Sequence, residues 1–118
     1  TMEKKQMLIG YDKEEDMFSL FKKDRKAKFS QEINLPDGEM IVDFSSDGLV
    51  AGIEFFNASK YFPQLKKISN KDNIKAQMSV KYGENAISIF YVILLPEEIK
   101  ISKEVIISPY SKKLILEN

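Results

Sequence analysis

Apolar and polar residues alternate along most of the first half of the chain, and a period of two residues predicts β-strands with one buried face. Two short apolar runs at 7–11 and 17–21, separated by an acidic turn, predict a first hairpin. Residues 29–35 alternate cleanly after a charged loop at 22–28. Runs at 40–44 and 49–55 flank Ser-Ser-Asp-Gly and predict a second hairpin. The first half is therefore expected to be rich in antiparallel strands.

A helix is expected to follow the second hairpin and to cover the sheet. Asn57 is of a residue type that caps helices by accepting a hydrogen bond from a backbone N–H group. Pro63 disfavours the helical conformation at Phe62, which predicts a kink or a helix in two pieces. Gly52, in the middle of a strand, predicts a bulge or the close approach of another element. Helical spacing relates Ala58, Tyr61, Phe62, Leu65 and Ile68.

The second half is predicted to be a further set of strands. Residues 76–82 alternate, and residues 87–95 are apolar at nearly every position, which indicates a central strand covered on both faces. Residues 105–107 and 114–116 would complete a set of four strands. Similar residues recur at corresponding places in the two halves, so tandem duplication is one interpretation and chance β periodicity is the other.

These patterns predict the α+β class with predominantly antiparallel strands. A ββββα unit at residues 6–68 would pack against a second, degenerate β-rich unit at 74–118. A chain of 118 residues is long enough for one compact domain, which we expect to span residues 1–118.

Composition excludes several classes of function. The chain has 18 basic and 18 acidic residues, and Arg25 is the one arginine, which argues against nucleic acid as a partner. Cysteine and histidine are absent, so thiol nucleophiles, imidazole catalysis and the usual zinc ligands are excluded. We therefore expect no catalytic residue and no cofactor.

The apolar runs also bear on location. The longest, at 87–95, is far shorter than the roughly 20 residues that a membrane helix needs. The polar beginning of the sequence contains no apolar core of a signal peptide. A cytoplasmic location without membrane contact is the resulting expectation.

Two groups of residues could carry a function. Asp12, Glu14 and Asp16 supply carboxylates that suit Mg²⁺, Mn²⁺ or Ca²⁺, although acids in such a turn also serve as solvated or turn-forming residues. Phe56, Lys60 and Tyr61 lie around the expected helix start, where they could contact a partner or belong to the core.

The first 65 residues resemble a family of small prokaryotic proteins known as a domain of unknown function. The shared pattern is a Tyr-Asp turn with two further acids, a Val-Asp strand, an Asp-Gly turn, a Gly-Ile-Glu strand and an Asn-Ala-Ser-Lys helix start. The residues that carry the resemblance are Tyr11, Asp12, Glu14, Asp16, Val42, Asp43, Asp47, Gly48, Gly52, Ile53, Glu54, Ala58 and Ser59. The family has no established catalytic residues to carry over. Some relatives look like partners in toxin and antitoxin-type gene pairs, which implies binding to another protein.

The leading hypothesis is a small, non-enzymatic protein-binding or assembly module, with a protein partner or a second copy of the chain as the binding partner. One alternative is a protein that binds a divalent cation weakly at Asp12 to Asp16. Another is binding of nucleic acid through Lys and aromatic residues near the helix, for which affinity would fall steeply with salt.

Overall fold

The computed structural model of the chain describes residues 7–36, 38–68 and 73–111. Within these ranges, strands make up most of the regular structure, and two short helical segments lie between the fifth and sixth strands. The elements are β1 (Met7–Asp12), β2 (Met17–Lys22), β3 (Ala27–Leu35), β4 (Gly38–Ser45), β5 (Val50–Phe55), α1 (Ala58–Tyr61), a 3₁₀ helix (Pro63–Lys67), β6 (Lys75–Tyr82), β7 (Ile87–Leu95) and β8 (Ile99–Ile107).

The strands form two antiparallel sheets. One has five strands in the order β1-β2-β5-β4-β3, and the other has three in the order β6-β7-β8. Every neighbouring pair is antiparallel. The predicted α+β, predominantly antiparallel class is therefore confirmed, and the first unit has one strand more than the ββββα description.

Both sheets contribute to one hydrophobic core. Phe55 of β5 and Tyr91 of β7 meet edge to face with ring centroids 5.5 Å apart, and Phe44 of β4 stacks on Tyr110 beyond β8 at 5.9 Å. Each fully buried apolar side chain stabilises the fold by about 1.5–3 kcal/mol. The largest fully buried side chains are Phe18, Phe44, Phe55, Leu20, Met40, Ile53, Leu65, Ile87, Ile89, Ile93, Val42 and Val50.

Gly52 fulfils both parts of its prediction. The β4–β5 register shifts between Asp43 and Phe44, which marks a bulge next to the Asp43–Gly52 pair. The ring of Phe21 on β2 lies where a Cβ of residue 52 would stand, and the Leu20 carbonyl oxygen would be 2.7 Å from that atom. Glycine is therefore required here for space.

The prediction that the apolar strand is covered on both faces is wrong. β7 is the central strand of its sheet, but only alternate residues of it are buried. Phe90 and Leu94 on the other face are 42% and 41% exposed. The core lies against one side of the three-stranded sheet, and no described element covers the other side. β8 is longer than the predicted 105–107, and the predicted strand at 114–116 lies outside the described residues.

The two helical segments confirm the predicted break at Pro63, but the predicted cap at Asn57 is absent. Asn57 has a left-handed backbone with φ of 52°, and its side chain makes no capping hydrogen bond, so the N-cap prediction is wrong. α1 has only four residues, and the 3₁₀ helix follows after Phe62. Ala58, Phe62 and Leu65 are buried and hold these segments against the core.

Two further details complete the fold. The charged loop is shorter than 22–28, because Lys22 belongs to β2 and β3 begins at Ala27. Residue 37, between β3 and β4, lies outside the described residues, and Gly38 has a positive φ of 148°. None of the described helices is long and apolar enough to cross a membrane.

Candidate functional site

The acidic turn between β1 and β2 is tied to α1 through Asp16. Its carboxylate accepts hydrogen bonds from the Ser59 hydroxyl at 2.6 Å, the Ser59 backbone N–H at 3.0 Å and the Tyr11 hydroxyl at 2.9 Å. Its backbone carbonyl accepts a fourth from the Ala58 N–H at 2.8 Å. Asp16 therefore satisfies the start of α1 from a distant turn, which is the role that the sequence suggested for Asn57.

The charge on Asp16 suits this structural role. Burial opposes ionisation, but the hydrogen bonds from Ser59 and Tyr11 outweigh it and hold the pKa of Asp16 below its usual value. Burial, together with the hydrogen bond to Asp16, raises the pKa of Tyr11 to about 12. The carboxylate is thus an ionised acceptor surrounded by donors.

The structure gives the three predicted metal ligands different environments. Asp12 accepts a hydrogen bond from the Glu15 N–H at 3.0 Å, as in the turn that the sequence suggested, while Glu14 is exposed. Asp16 is engaged as described above. In the described part of the chain, no group of three or more acidic side chains is arranged to hold a metal ion. Cation binding at this turn stays a prediction.

A second anchored carboxylate lies in the β4–β5 turn. Asp47 accepts hydrogen bonds from the Ser45 hydroxyl, the Arg25 guanidinium at 2.9 Å and the Leu49 N–H at 3.2 Å. The bonds from Ser45 and Arg25 hold the pKa of Asp47 well below its usual range. The chain's single arginine thus pairs with an internal carboxylate.

This turn also joins the two sheets. The Tyr110 hydroxyl donates a 2.6 Å hydrogen bond to the Gly48 carbonyl, and the Val50 N–H donates one of 2.9 Å to the hydroxyl of Tyr82 on β6. The two tyrosine rings lie 5.9 Å apart. The Asp-Gly turn is therefore a structural junction.

A carboxyl pair lies on the outward side of the five-stranded sheet. Asp43 is only 3% exposed, and the Ser30 hydroxyl donates a 2.5 Å hydrogen bond to its Oδ1. Its Oδ2 is buried and receives no hydrogen bond from the described residues. Burial, and then the neighbouring Asp43, raise the pKa of Glu54 on β5 to about 7. A proton on Glu54 can be shared with Asp43, as between paired carboxyls elsewhere.

The structure brings the three predicted partner residues together. Phe56, Lys60 and Tyr61 line one shallow depression of about 270 Å³ with Gly38, Glu39 and Asn57. Lys60 is exposed, whereas Phe56 and Tyr61 are half-buried. The Tyr61 hydroxyl donates to the Glu39 carbonyl at 3.4 Å, and its ring lies 5.5 Å from that of Phe55. Tyr61 is therefore partly committed to the fold.

The outward side of β6-β7-β8, which we call the open sheet face, has a different character. Its apolar members are Phe90 and Leu94, Val92 between them, and Ile106 on β8, which is 68% exposed. The register places Ile106 opposite Ser88, one step along the face from Phe90. Four apolar side chains thus lie together on a sheet face that none of the described elements covers, whereas apolar residues scattered singly would need no explanation.

Comparison with known proteins gives a family without an assigned activity. The model of a family described as "Protein of unknown function (DUF2283)" matches residues 8–59. The uncharacterized protein MJ0789 of Methanocaldococcus jannaschii is 31% identical over 100 residues, which cover 84% of this chain and 83% of that protein. The chain belongs to this family of uncharacterised proteins. No solved structure matches the chain.

Several of the residues that carry the family resemblance have structural roles. Tyr11, Asp16 and Ser59 join the first turn to α1, and Asp47 and Gly48 form the junction between the sheets. Gly52 makes room for Phe21. These residues therefore have roles in the fold of this chain.

The open sheet face was missed in the sequence, although its signal was present. The run at 87–95, which is apolar at every position except Ser88, indicated that both sides of β7 would be apolar. Periodicity cannot show whether an element of the same chain covers the second side. The match to the family model ends at residue 59, so this face belongs to the part of the chain beyond it.

Proposed function

We propose that this chain is a non-enzymatic protein-binding module whose main contact surface is the open sheet face. The supporting observation is the exposure of Phe90, Leu94 and Ile106 on one side of a regular sheet. Burying such side chains against a partner removes apolar surface from water at about 25 cal/mol per Å². A rigid strand holds them in place, so binding requires little ordering of the surface.

The acidic turn, the Asp47 turn and the carboxyl pair are assigned to the fold and not to the contact surface. Asp16 and Asp47 accept hydrogen bonds from the protein itself, and Asp43 is buried, so their side chains serve the fold. Phe56 and Lys60 remain a predicted second contact area, since they line a depression at the surface. An antitoxin-type role would be one form of this function.

The test is quantitative affinity capture from the native host, at equal bait loading. The wild-type chain is compared with Phe90→Thr/Leu94→Thr, in which threonine keeps a high β-propensity and removes apolar area. Leu8→Thr is the matched control, because Leu8 is 52% exposed on β1 of the other sheet. We expect one protein to be enriched by the wild type and by Leu8→Thr, and to fall at least tenfold with the double variant.

Sedimentation equilibrium on the same proteins separates a different protein from a second copy of the chain. A captured protein that remains at the wild-type level with the double variant would contradict this contact surface. A strictly monomeric chain that captures nothing specific would contradict the proposed function.

A further inference from the structure

The open sheet face carries an excess of positive charge. Its exposed charged residues are Lys75 and Lys81 on β6, and Lys100 and Glu104 on β8. Glu104 accepts a 2.6 Å hydrogen bond from the Ser88 hydroxyl on β7. The chain as a whole has no net charge, so an excess of two positive charges on this face is a local feature.

The register places the lysines around the apolar residues. Leu94 lies opposite Lys75 on one side and opposite Lys100 on the other. Strands in a sheet are about 4.8 Å apart, so the two lysine backbones lie about 10 Å from each other with Leu94 between them. Lys81 lies opposite Ser88, whose other neighbour is Ile106. Each end of the apolar row thus has a cation beside it.

This arrangement of lysines and apolar side chains favours one kind of binding partner over others. A second copy in the same orientation would bring lysine-rich surfaces together, and like charges in a contact oppose association. Single-stranded nucleic acid binds on several stacked aromatic rings, whereas this face offers Phe90 among aliphatic residues. A protein segment with apolar residues bordered by carboxylates complements both the apolar row and its charges.

We propose that the partner presents an acidic, amphipathic protein segment, whose apolar residues lie along β7 and whose Asp or Glu side chains pair with Lys75 and Lys100. This inference rests on the proposed function and specifies the chemistry of its partner. The charges contribute mainly association rate and selectivity, while the apolar row contributes affinity.

The test uses two designed amphipathic peptides with identical leucine positions, one with Glu and one with Lys at the flanking positions. Fluorescence anisotropy with the full chain measures their affinities. We expect the Glu peptide to bind at least tenfold more tightly than the Lys peptide, with affinity that falls as salt rises. Lys75→Glu/Lys100→Glu should weaken the Glu peptide at least tenfold. The matched control is Lys26→Glu/Lys28→Glu, with Lys26 in the loop before β3 and Lys28 in β3 of the other sheet. This variant should change the affinity for the Glu peptide less than twofold.

Several results would overturn the inference. They are absence of saturable binding of the Glu peptide, equal affinity for both peptides, an equal loss in the control variant, tighter binding of a (dT)₂₀ oligonucleotide, and wild-type self-association that Phe90→Thr/Leu94→Thr abolishes. If both peptides bind equally and Phe90→Thr/Leu94→Thr weakens both, the proposed function stands and the acidic partner does not. If the capture experiment also yields nothing, both fail.

Discussion

The two halves of this protein use their polar and apolar residues in opposite ways. From β1 to α1, carboxylates are drawn into internal contacts, as with Asp16 at the start of α1 and Asp43 beneath the sheet surface. In β6-β7-β8, apolar side chains are left outside, with Phe90 and Leu94 about two-fifths exposed. Internal polar contacts stabilise one arrangement of the chain, while exposed apolar ones contribute little until another surface covers them.

This difference separates positions where a substitution should affect folding from positions where it should affect binding. Changes to the contacts of the first half should lower the free energy of unfolding. Changes to the open sheet face should leave folding intact.

Gly52→Ala should be the most damaging of the single changes considered. Its Cβ would overlap the Phe21 ring and lie 2.7 Å from the Leu20 carbonyl oxygen, so backbone as well as side chain must shift. Overpacking of this kind costs about 3 kcal/mol. Urea unfolding measures the loss. Phe21→Ala/Gly52→Ala should lose less than the sum of the two single changes, because removal of the ring relieves part of the overlap. A free energy of unfolding for Gly52→Ala within 0.5 kcal/mol of the wild type would contradict the close approach.

Asp16→Ala should cost about 2 kcal/mol, since charged acceptors and helix starts each contribute on the order of 1–2 kcal/mol. The change removes the acceptor for Ser59 and Tyr11 while leaving their donors in place. Urea unfolding again gives the free energy. Glu14→Ala in the same turn is the control, because Glu14 is exposed, and it should change stability by less than about 0.5 kcal/mol. Equal effects of the two changes would show that turn charge, rather than the link to α1, matters.

The elements that depend on local pattern were predictable from the sequence. The strands other than the first part of β8, both hairpin turns and the break at Pro63 follow from alternation, turn residues and the geometry of proline. The prediction that Asn57 caps the helix was wrong, because the hydrogen-bond acceptor for the start of α1 is Asp16, which lies 43 positions before Ser59. A cap supplied over such a distance leaves no local spacing to detect.

The open sheet face shows a second limit of prediction from the sequence. Apolar residues on both sides of β7 were visible, but which side would be covered depends on how the two sheets meet. The grouping of Phe56, Lys60 and Tyr61 in one depression was partly predictable from their closeness along the chain. Burial of Asp43 near Glu54 depends on pairing between β3, β4 and β5, which alternation alone does not fix.

Glu54 should make the stability of the first half depend on pH. Its pKa rises on folding from 4.5 to about 7, so the folded state binds the proton more tightly. This stabilisation is complete below pH 4.5 and is lost as pH rises through about 7. The full shift would correspond to about 3 kcal/mol, which we reduce to about 1 kcal/mol because Glu54 is partly exposed and screened by solvent.

Urea unfolding at pH 5 and pH 8 tests this dependence. Because the chain has no histidine, few other groups titrate in the interval. Glu54→Gln should remove most of the decrease, whereas Glu32→Gln, an exposed change on β3, should preserve it. A decrease that persists unchanged in Glu54→Gln would assign the pH dependence to another group.

Phe90→Thr/Leu94→Thr should change the free energy of unfolding least. A negligible change is the result expected if this face of the second half serves binding and not folding. Both side chains lie on the open sheet face, and exposed substitutions usually change stability by less than about 0.5 kcal/mol each. The matched control is Ile89→Thr/Ile93→Thr on the same strand, where both side chains are buried and each change should cost about 2 kcal/mol or more. Urea unfolding of the wild type and the two double variants, with circular dichroism as the signal, measures both pairs. If the outward pair proved as costly as the inward pair, Phe90 and Leu94 would belong to the core, and a partner would no longer be needed to explain them.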